Sequence, residues 1–191
     1  MSYTYILASQ SPRRQELLKH LIPTFEIRLK ATEEDYPATM LASQVPVFLA
    51  EKKARAFSAE LKPNELLIAA DTVVILEGSI LGKPTDKEEA FAMLSQLSGK
   101  KHEVITGVCL WKGNQTHFSF SEKTTVYFKP MTAEAIHYYL DHYQPYDKAG
   151  AYGVQEWWGM VAIERIEGCF YNVMGLPTAR LYEALQVFSA Q

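Results

Sequence analysis

The segment from Leu66 to Leu76, LLIAADTVVIL, constrains the fold more than any other stretch of the chain. Nine of its eleven residues are apolar, which is typical of a strand buried on both faces of a sheet. Asp71 interrupts this run, and burying an unpaired carboxylate is costly. We therefore expect Asp71 to be paired, to face a cleft at a strand end, or to hold a cation. The alternative to a functional role is a structural Asp71 at a strand end that accepts hydrogen bonds from backbone amides.

A strand and a helix start are predicted near the beginning of the chain. Residues 3–8 are rich in β-forming side chains. Ser11 and Pro12 then supply a favoured N-cap and a favoured first helical residue. The sequence therefore predicts a sharp strand-to-helix turn.

Two arginines fall in the first turn of this predicted helix. The helix dipole disfavours cations there unless an anion is also present. Arg13 and Arg14, the hydroxyls of Ser9 and Ser11 and the free backbone amides together favour an anion site, with phosphate as the expected ligand. Two solvated arginines are the alternative.

An acidic cluster and a lysine on an apolar stripe form a second group of candidates. Residues 33–35 are Glu-Glu-Asp in a predicted loop. In the helix predicted over residues 46–61, Lys53 lies between Leu49 and Phe57 at i+4 spacings. A lysine at such a position either extends to solvent or points its ammonium into a cleft.

Lys83 stands at the end of a predicted β-hairpin whose turn lies at residues 77–79. The sequence GxxxGKPT around it is one residue shorter than a phosphate-binding P-loop, and Pro84 stands where a P-loop requires Ser or Thr. A P-loop is therefore excluded. Later in the chain, residues 144–155 form a loop rich in Gly and Ala, which either lets backbone approach a ligand closely or is an ordinary surface connection.

Alternating helices and strands with two hairpins predict an α/β fold with a mixed sheet. The 191 residues, 48% of them apolar, suffice for one domain over residues 1–191 or for two closely packed lobes. The net charge of -3 disfavours nucleic-acid or membrane partners. Cys109 and Cys169 are expected to be reduced core residues of a soluble, cytoplasmic protein, and they form no Cys/His metal site.

Seven motifs occur in an order that resembles the Maf family, the septum-formation-protein-like nucleoside triphosphate pyrophosphatases. Besides the acidic loop, they are LASQSPRR, EKKA around Lys53, AADTVV around Asp71, LGKP around Lys83, SGKKHEVITGV and YDKAGAYGVQ. The resemblance extends through YNVMGLP near the end of the chain. It implies an elongated, bent mixed sheet of the Maf/ITPase-like type, flanked by helices, with an active-site cleft between two lobes.

The resemblance also implies a reaction. The family hydrolyses a nucleoside triphosphate between its α and β phosphates, with a divalent metal cation, Mg²⁺ or Mn²⁺. Ser9, Arg13, Arg14, Lys53 and Lys83 then correspond to the phosphate-binding groups. Glu34, rather than Glu33, matches the acidic metal ligand, and Asp71 matches the proton acceptor. Because a metal lowers the basicity of its ligand, base and metal ligand both remain open roles for Asp71.

The form DKAGAYGVQ resembles the branch of the family that hydrolyses dTTP and UTP. The positions for substrate specificity in that branch correspond to Arg13, Thr72 and Gln155. The amide of Gln155 both donates and accepts, which suits the edge of uracil or thymine. Residues 156–158, Glu-Trp-Trp, depart from the smaller residues of many relatives and are expected to narrow the cleft or to form a homodimer contact.

Three alternatives remain at the level of sequence. A nucleotide-binding regulatory module of cell-division control would need the basic groups but not Asp71. A Maf-type pyrophosphatase of methylated guanosine triphosphate would typically carry a Ser-Phe variant in place of the DKAGAYGVQ form. A phosphotransferase would need an acceptor site and a P-loop or its equivalent, neither of which the sequence provides.

Overall fold

The computed structural model of the chain describes residues 3–113 and 116–190. Within these residues the chain forms a seven-stranded sheet and seven α-helices. The strands are β1 (Thr4–Leu7), β2 (Glu26–Ile27), β3 (Glu65–Leu76), β4 (Ser79–Leu81), β5 (Lys101–Lys112), β6 (Thr116–Phe128) and β7 (Ile163–Glu167). The helices are α1 (Pro12–Leu21), α2 (Val45–Arg55), α3 (Lys87–Leu97), α4 (Ala133–Tyr143), α5 (Trp157–Ala162), α6 (Phe170–Met174) and α7 (Thr178–Ala190).

The sheet is mixed, as the sequence predicts. Its strand order is β2-β1-β3-β5-β6-β7, and β4 pairs with β3 outside this path. β1 is parallel to both β2 and β3, with Leu7 opposite Ile68, whereas β4 is antiparallel to β3 and β7 is antiparallel to β6. The predicted turn after β3 is also present, and Glu77 and Gly78 both adopt the positive φ angles of a tight hairpin turn.

Contacts within the chain group it into two compact units. Unit 1 comprises residues 1–71, 106–122 and 175–191, and unit 2 comprises residues 72–105 and 123–174. In unit 1, α2 packs its small apolar side chains on β1, β3 and β5, and this core includes Ala50, Ala54, Leu67 and Ala69. The prediction of one domain over residues 1–191 stays a prediction.

Unit 2 has its own apolar core. Buried residues of α3 and α4 pack there with β-strand residues and with the segment before α5, and Tyr139 and Trp158 are fully buried. The sequence also predicts a strand over residues 160–166. The structure confirms it from Ile163 onward, where β7 begins, whereas residues 160–162 form the end of α5. Because a short apolar run fits either element, only packing against the unit 2 core separates the two.

The predicted hairpin turn at residues 112–115 includes residues 114 and 115, which lie outside the described part of the chain. Both cysteines are free thiols; Cys109 is buried as predicted, whereas Cys169 is half-buried. None of the helices in the described residues is long and apolar enough to cross a membrane.

Candidate active site

Asp71 lies on β3 on the same face as Leu67 and Ala69, because alternate residues of a strand share a face. That face packs against α2 in unit 1. Asp71 is 7% exposed, so its carboxylate is largely removed from water. The predicted buried strand is confirmed, and the carboxylate points toward the helix that carries Lys53.

The ammonium of Lys53 joins two carboxylates. Its Nζ donates to Asp71 Oδ1 at 2.5 Å and to Glu34 Oε1 at 2.8 Å. The side chains of Lys53 and Asp71 are only 17% and 11% exposed. Of the two orientations predicted for Lys53, the structure has the inward one, and the ion pair explains how β3 accommodates a buried charge.

The acidic loop is held against α2 by two neighbouring lysines. Lys53 pairs with Glu34, and Lys52 pairs with the carboxylate of Asp35. Glu34 therefore shares a cation with Asp71, which supports the choice of Glu34 over Glu33 as the acidic site residue. Its function as a metal ligand stays a prediction.

The strand-to-helix turn after β1 is formed as predicted. Ser11 is the N-cap of α1, with its side chain accepting from the backbone N–H of Arg14, and Pro12 is the first helical residue. Ser9 is buried, and its Oγ accepts from the backbone N–H of Ser11 at 3.2 Å. Arg13 lies in the first helical turn, close enough for its charge to lower the pKa of Arg14.

Arg14 makes contacts that the sequence did not indicate. Its Nε donates to the backbone oxygen of Gly175 at 2.8 Å, and its Nη1 donates to that of Ala70 at 2.9 Å. Burial lowers the pKa of this guanidinium, while the nearby carboxylate of Asp71 opposes the shift. These bonds fix the backbone beside Asp71, which is a positioning role in addition to the predicted contact with phosphate.

The remaining candidates belong to unit 2. Thr72 follows Asp71 on β3 and is half-buried, whereas Lys83 is exposed beyond β4. The loop that leads to Gln155 is attached next to Lys83, because the N–H of Gly150 donates to the oxygen of Gly82 at 2.9 Å. The structure thus connects Lys83 and the Gln155 segment within one unit.

The side chain of Gln155 has an unsatisfied acceptor. Its Oε1 is buried and, among the described residues, has no hydrogen-bond partner. A buried carbonyl oxygen without a donor costs about 1–3 kcal/mol. Such a group is satisfied when a ligand brings an N–H to it.

The donor set for a metal is small but chemically suitable. Within residues 3–113 and 116–190, no three His, Cys, Asp or Glu side chains converge on one point. Two carboxylate oxygens, from Glu34 and Asp71, do meet at the single ammonium of Lys53. Hard oxygen ligands of this kind suit Mg²⁺ or Mn²⁺, which commonly take one or two protein carboxylates together with substrate phosphates.

A buried polar cluster lies near Gln155 that the sequence does not predict. Lys148 pairs with Glu156, whose carboxylate also accepts from the hydroxyl of Tyr139. The only available signal was a lysine and an acid flanking the run AGAYGVQ. Trp158 is fully buried in unit 2 and packs on Tyr139, so it does not supply the surface contact that was expected of a homodimer.

Comparisons with known proteins agree with the motif order. A model of the family described as "Maf-like protein" matches residues 4–188. A dTTP/UTP pyrophosphatase of Flavobacterium johnsoniae is 51% identical over 183 residues, which cover 96% of this chain and 94% of that protein. Proteins of the same name from Porphyromonas gingivalis (W83) and Bacteroides thetaiotaomicron are 51% and 48% identical, over 97% and 96% of this chain and 94% and 95% of their own lengths.

A solved structure shares the fold. The Ham1 protein of Staphylococcus aureus matches with a TM-score of 0.53 at 15% identity, covering 97% of this chain and 99% of that one. At this identity the likeness concerns the architecture alone, and it agrees with the predicted mixed sheet flanked by helices. With a family model spanning residues 4–188 and relatives about half identical over nearly their full length, the chain belongs to the Maf-like protein family.

Proposed function

We propose that this protein is a nucleoside triphosphate pyrophosphatase that hydrolyses dTTP and UTP to the nucleoside monophosphate and pyrophosphate. The observation that carries the proposal is the ammonium of Lys53 held between Asp71 and Glu34 at 2.5 and 2.8 Å. A buried acid, a second acid and a cation between them are groups that water attack on a phosphate uses. The names of the relatives support the substrate class.

Basic residues offset the charge of the triphosphate in this proposal. Ser9, Arg13 and the first-turn amides of α1 bind phosphate oxygens, since a helix N-terminus favours anions. Lys83 donates to the same class of oxygens, and Lys53 transfers its hydrogen bonds from the carboxylates to phosphate when substrate binds. Pyrophosphate leaves with its developing charge neutralised.

Asp71 accepts the proton of the attacking water. Its side chain is 11% exposed, so the carboxylate is shielded from bulk solvent, and its hydrogen bond with Lys53 fixes its orientation. Once Lys53 turns to the phosphates, one oxygen of Asp71 is available to the water that attacks the α-phosphorus. Pairing in the free protein thus holds the carboxylate of the base in place until substrate arrives.

A divalent cation would be held by Glu34 and Asp71, the two carboxylates that share the ammonium of Lys53. When bound there, it neutralises phosphate charge and orients the α-phosphate for in-line attack. The two carboxylates are stabilised by a positive charge between them, and either the ammonium of Lys53 or a divalent metal ion can supply it.

Removing the charge of Glu34 is expected to weaken metal binding. We expect Glu34→Gln to raise the Mn²⁺ concentration for half-maximal activity by about tenfold or more, because one anionic ligand is lost. Titration of activity with Mn²⁺ measures this directly. The matched control is Glu33→Gln, which should keep the wild-type titration curve, and an unchanged metal dependence in Glu34→Gln would place the metal elsewhere.

Gln155 is proposed to read the pyrimidine base. Uracil and thymine present an N–H flanked by two carbonyls, and the buried Oε1 of Gln155 accepts from that N–H while its amide N–H₂ donates to a carbonyl. Cytosine lacks this N–H at the same edge and offers an amino group instead. CTP is therefore expected to be a poorer substrate than UTP.

We expect Gln155→Leu to lower kcat/KM for both dTTP and UTP, because the base edge loses its hydrogen bonds. The decrease should correspond to a loss of about 1–3 kcal/mol in transition-state stabilisation. Turnover of CTP should scarcely change, since it does not use those bonds. Steady-state kinetics on the three nucleotides give the answer. A wild-type enzyme that accepts CTP and purine triphosphates as readily as UTP would contradict both the role of Gln155 and the pyrimidine preference.

The proposal as a whole is tested by pyrophosphate release from a panel of triphosphates, with and without Mg²⁺. Release from dTTP and UTP supports it, and preferential release from methylated guanosine triphosphate would move the chain to another branch of the family. Tight nucleotide binding without any release would instead favour a regulatory module. We also propose a cytoplasmic location, which fractionation of cells that produce the protein tests. We further propose a homodimer, which light scattering of the purified protein tests.

A further inference from the structure

Gln155 lies inside a tight turn. The backbone N–H of Glu156 donates to the oxygen of Gly153 at 3.1 Å, which closes the turn around Gln155. Glu156 directly precedes α5, yet its side chain makes no capping bond to that helix. Its carboxylate is instead directed back over the turn.

Two buried side chains hold this carboxylate. Glu156 Oε1 lies 3.0 Å from Lys148 Nζ, and Oε2 accepts from the hydroxyl of Tyr139 on α4. The oxygen of Tyr139 in turn accepts from the backbone N–H of Gly153 at 3.0 Å. The side chains of Lys148 and Glu156 are 10% and 19% exposed, so the whole cluster is shielded from water.

The cluster and the turn form one closed arrangement. Gly153 bonds to Tyr139, Tyr139 bonds to Glu156, and Glu156 bonds back to Gly153. A Cβ at Gly153 would lie 2.6 Å from Cδ of Glu156, so only glycine lets the carboxylate pack on the turn. Burial and the adjacent carboxylate raise the pKa of Tyr139, which keeps its hydroxyl protonated and donating.

Stability alone does not account for this cluster. A buried ion pair is often no more stabilising than apolar side chains of similar volume, whereas the hydrogen bond from Tyr139 is directional and, with the ion pair to Lys148, fixes the position of the Glu156 carboxylate. The residue that the cluster fixes is Gln155, whose buried Oε1 has no partner among the described residues. An unsatisfied acceptor discriminates between ligands only if it is held in place before the ligand arrives.

We propose that Glu156, held between Tyr139 and Lys148, is a positioning residue that fixes the turn around Gln155 and thereby sets selectivity for the uracil or thymine edge. The inference rests on the proposed function, since it assigns a supporting residue to the same base-reading amide. It also gives a function to Glu156, which the sequence predicts only to narrow the cleft or to form a homodimer contact.

The test removes one hydroxyl. Tyr139→Phe keeps the buried ring but leaves Glu156 and Gly153 without their shared partner. We expect kcat/KM for UTP to fall about tenfold, mainly through a higher KM, since the turn that holds the base-reading amide of Gln155 loses the hydrogen bonds of Tyr139. CTP should change less than about twofold. Tyr143→Phe, one helical turn later and exposed, is the matched control and should keep the wild-type ratio of UTP to CTP.

A double-mutant cycle separates positioning from a general loss of stability. In a Gln155→Leu background, Tyr139→Phe should cause no further loss of UTP selectivity, because the group that it positions is gone. Additive losses, or equal losses on UTP and CTP, would overturn the inference. Glu156→Gln, which keeps an oxygen for Tyr139, should retain more selectivity than Glu156→Ala, and equal values for the two would also contradict it.

The wild-type enzyme and the Tyr139→Phe variant test the proposed function and the role of Glu156 separately. If wild-type enzyme releases no pyrophosphate from UTP, the proposed function is wrong and the inference is wrong with it. If it hydrolyses UTP and CTP equally well, the proposed base reading by Gln155 and the inference are wrong, whereas the pyrophosphatase function stands. If wild type shows the preference and Tyr139→Phe retains it in full, only the inference is wrong. Thermal unfolding of each variant shows whether the native fold is retained at the assay temperature.

Discussion

Asp71→Asn is expected to leave a folded protein that binds nucleoside triphosphate but hydrolyses it at least ~10²-fold more slowly, the usual scale for loss of a general base. Asparagine has the same shape, and its side-chain oxygen still accepts from Lys53. It does not accept a proton from water at neutral pH. Lys53 also keeps its bond to Glu34, so no buried ammonium is left unpaired and the fold is expected to persist.

Single-turnover kinetics measure the rate of hydrolysis, and calorimetry measures nucleotide binding, so the two experiments separate a loss of catalysis from a loss of binding. Asp35→Asn is the matched control, because Asp35 also accepts from a lysine of α2 but its side chain is 70% exposed. It should retain activity within about twofold, as expected for an exposed pair. Near wild-type turnover in Asp71→Asn would make Asp71 a structural residue and overturn the mechanism.

The same variant distinguishes the two functions considered for Asp71. If Asp71 acts only as a base, Asp71→Asn binds Mn²⁺ with wild-type affinity in electron paramagnetic resonance titrations while turnover is lost. If it is also a ligand, Mn²⁺ affinity falls together with turnover, since one anionic ligand is removed. The comparison with Glu34→Gln then shows whether the two carboxylates act as one site.

Gly107→Ala is expected to destabilise the protein by about 3 kcal/mol or more, at or beyond the upper end of ordinary overpacking. A Cβ at Gly107 would lie 2.3 Å from backbone atoms of Pro46 and Val47. These atoms belong to the first turn of α2, and backbone has no rotamer by which to escape. The helix must shift away from β5, and Lys53 on the same helix then shifts relative to Asp71, so activity should fall with stability.

Urea unfolding followed by circular dichroism measures the change in the free energy of unfolding. The matched control is Gly82→Ala, because a Cβ at Gly82 meets no atom within 4 Å and Gly82 has no positive φ. That control should lie within about 0.5 kcal/mol of wild type. A loss below about 1 kcal/mol in Gly107→Ala would show that α2 relaxes freely, and would contradict the close packing of this helix on β5.

Local signals in the sequence determined the elements on which the site is built. The apolar run around Asp71 predicted β3, and Ser11 with Pro12 predicted the start of α1, because capping chemistry and hydrophobic periodicity act between residues a few positions apart. The two residues of the turn after β3 are similarly recognisable. Motif order predicted the family, which the match over residues 4–188 confirms.

The sequence did not determine the partner of a side chain when two partners were chemically reasonable. Lys53 on an apolar stripe fits solvent or a cleft equally well, and its ion pairs join residues 18 and 19 positions apart. Arg14 was predicted as a phosphate ligand, but its guanidinium also bonds the backbone of Gly175, 161 residues away. No spacing rule covers such distances along the chain.

Only the tertiary structure decided which polar groups are buried together. The bonds of Glu156 to Tyr139 and Lys148 require α4, the Gly-rich loop and the start of α5 to pack on one core. Trp158, which was predicted to narrow the cleft or to form a homodimer contact, is instead fully buried there. The physical reason is that desolvation depends on everything packed around a group, so the partners of a buried charge are fixed by the complete fold and not by the residues beside it in sequence.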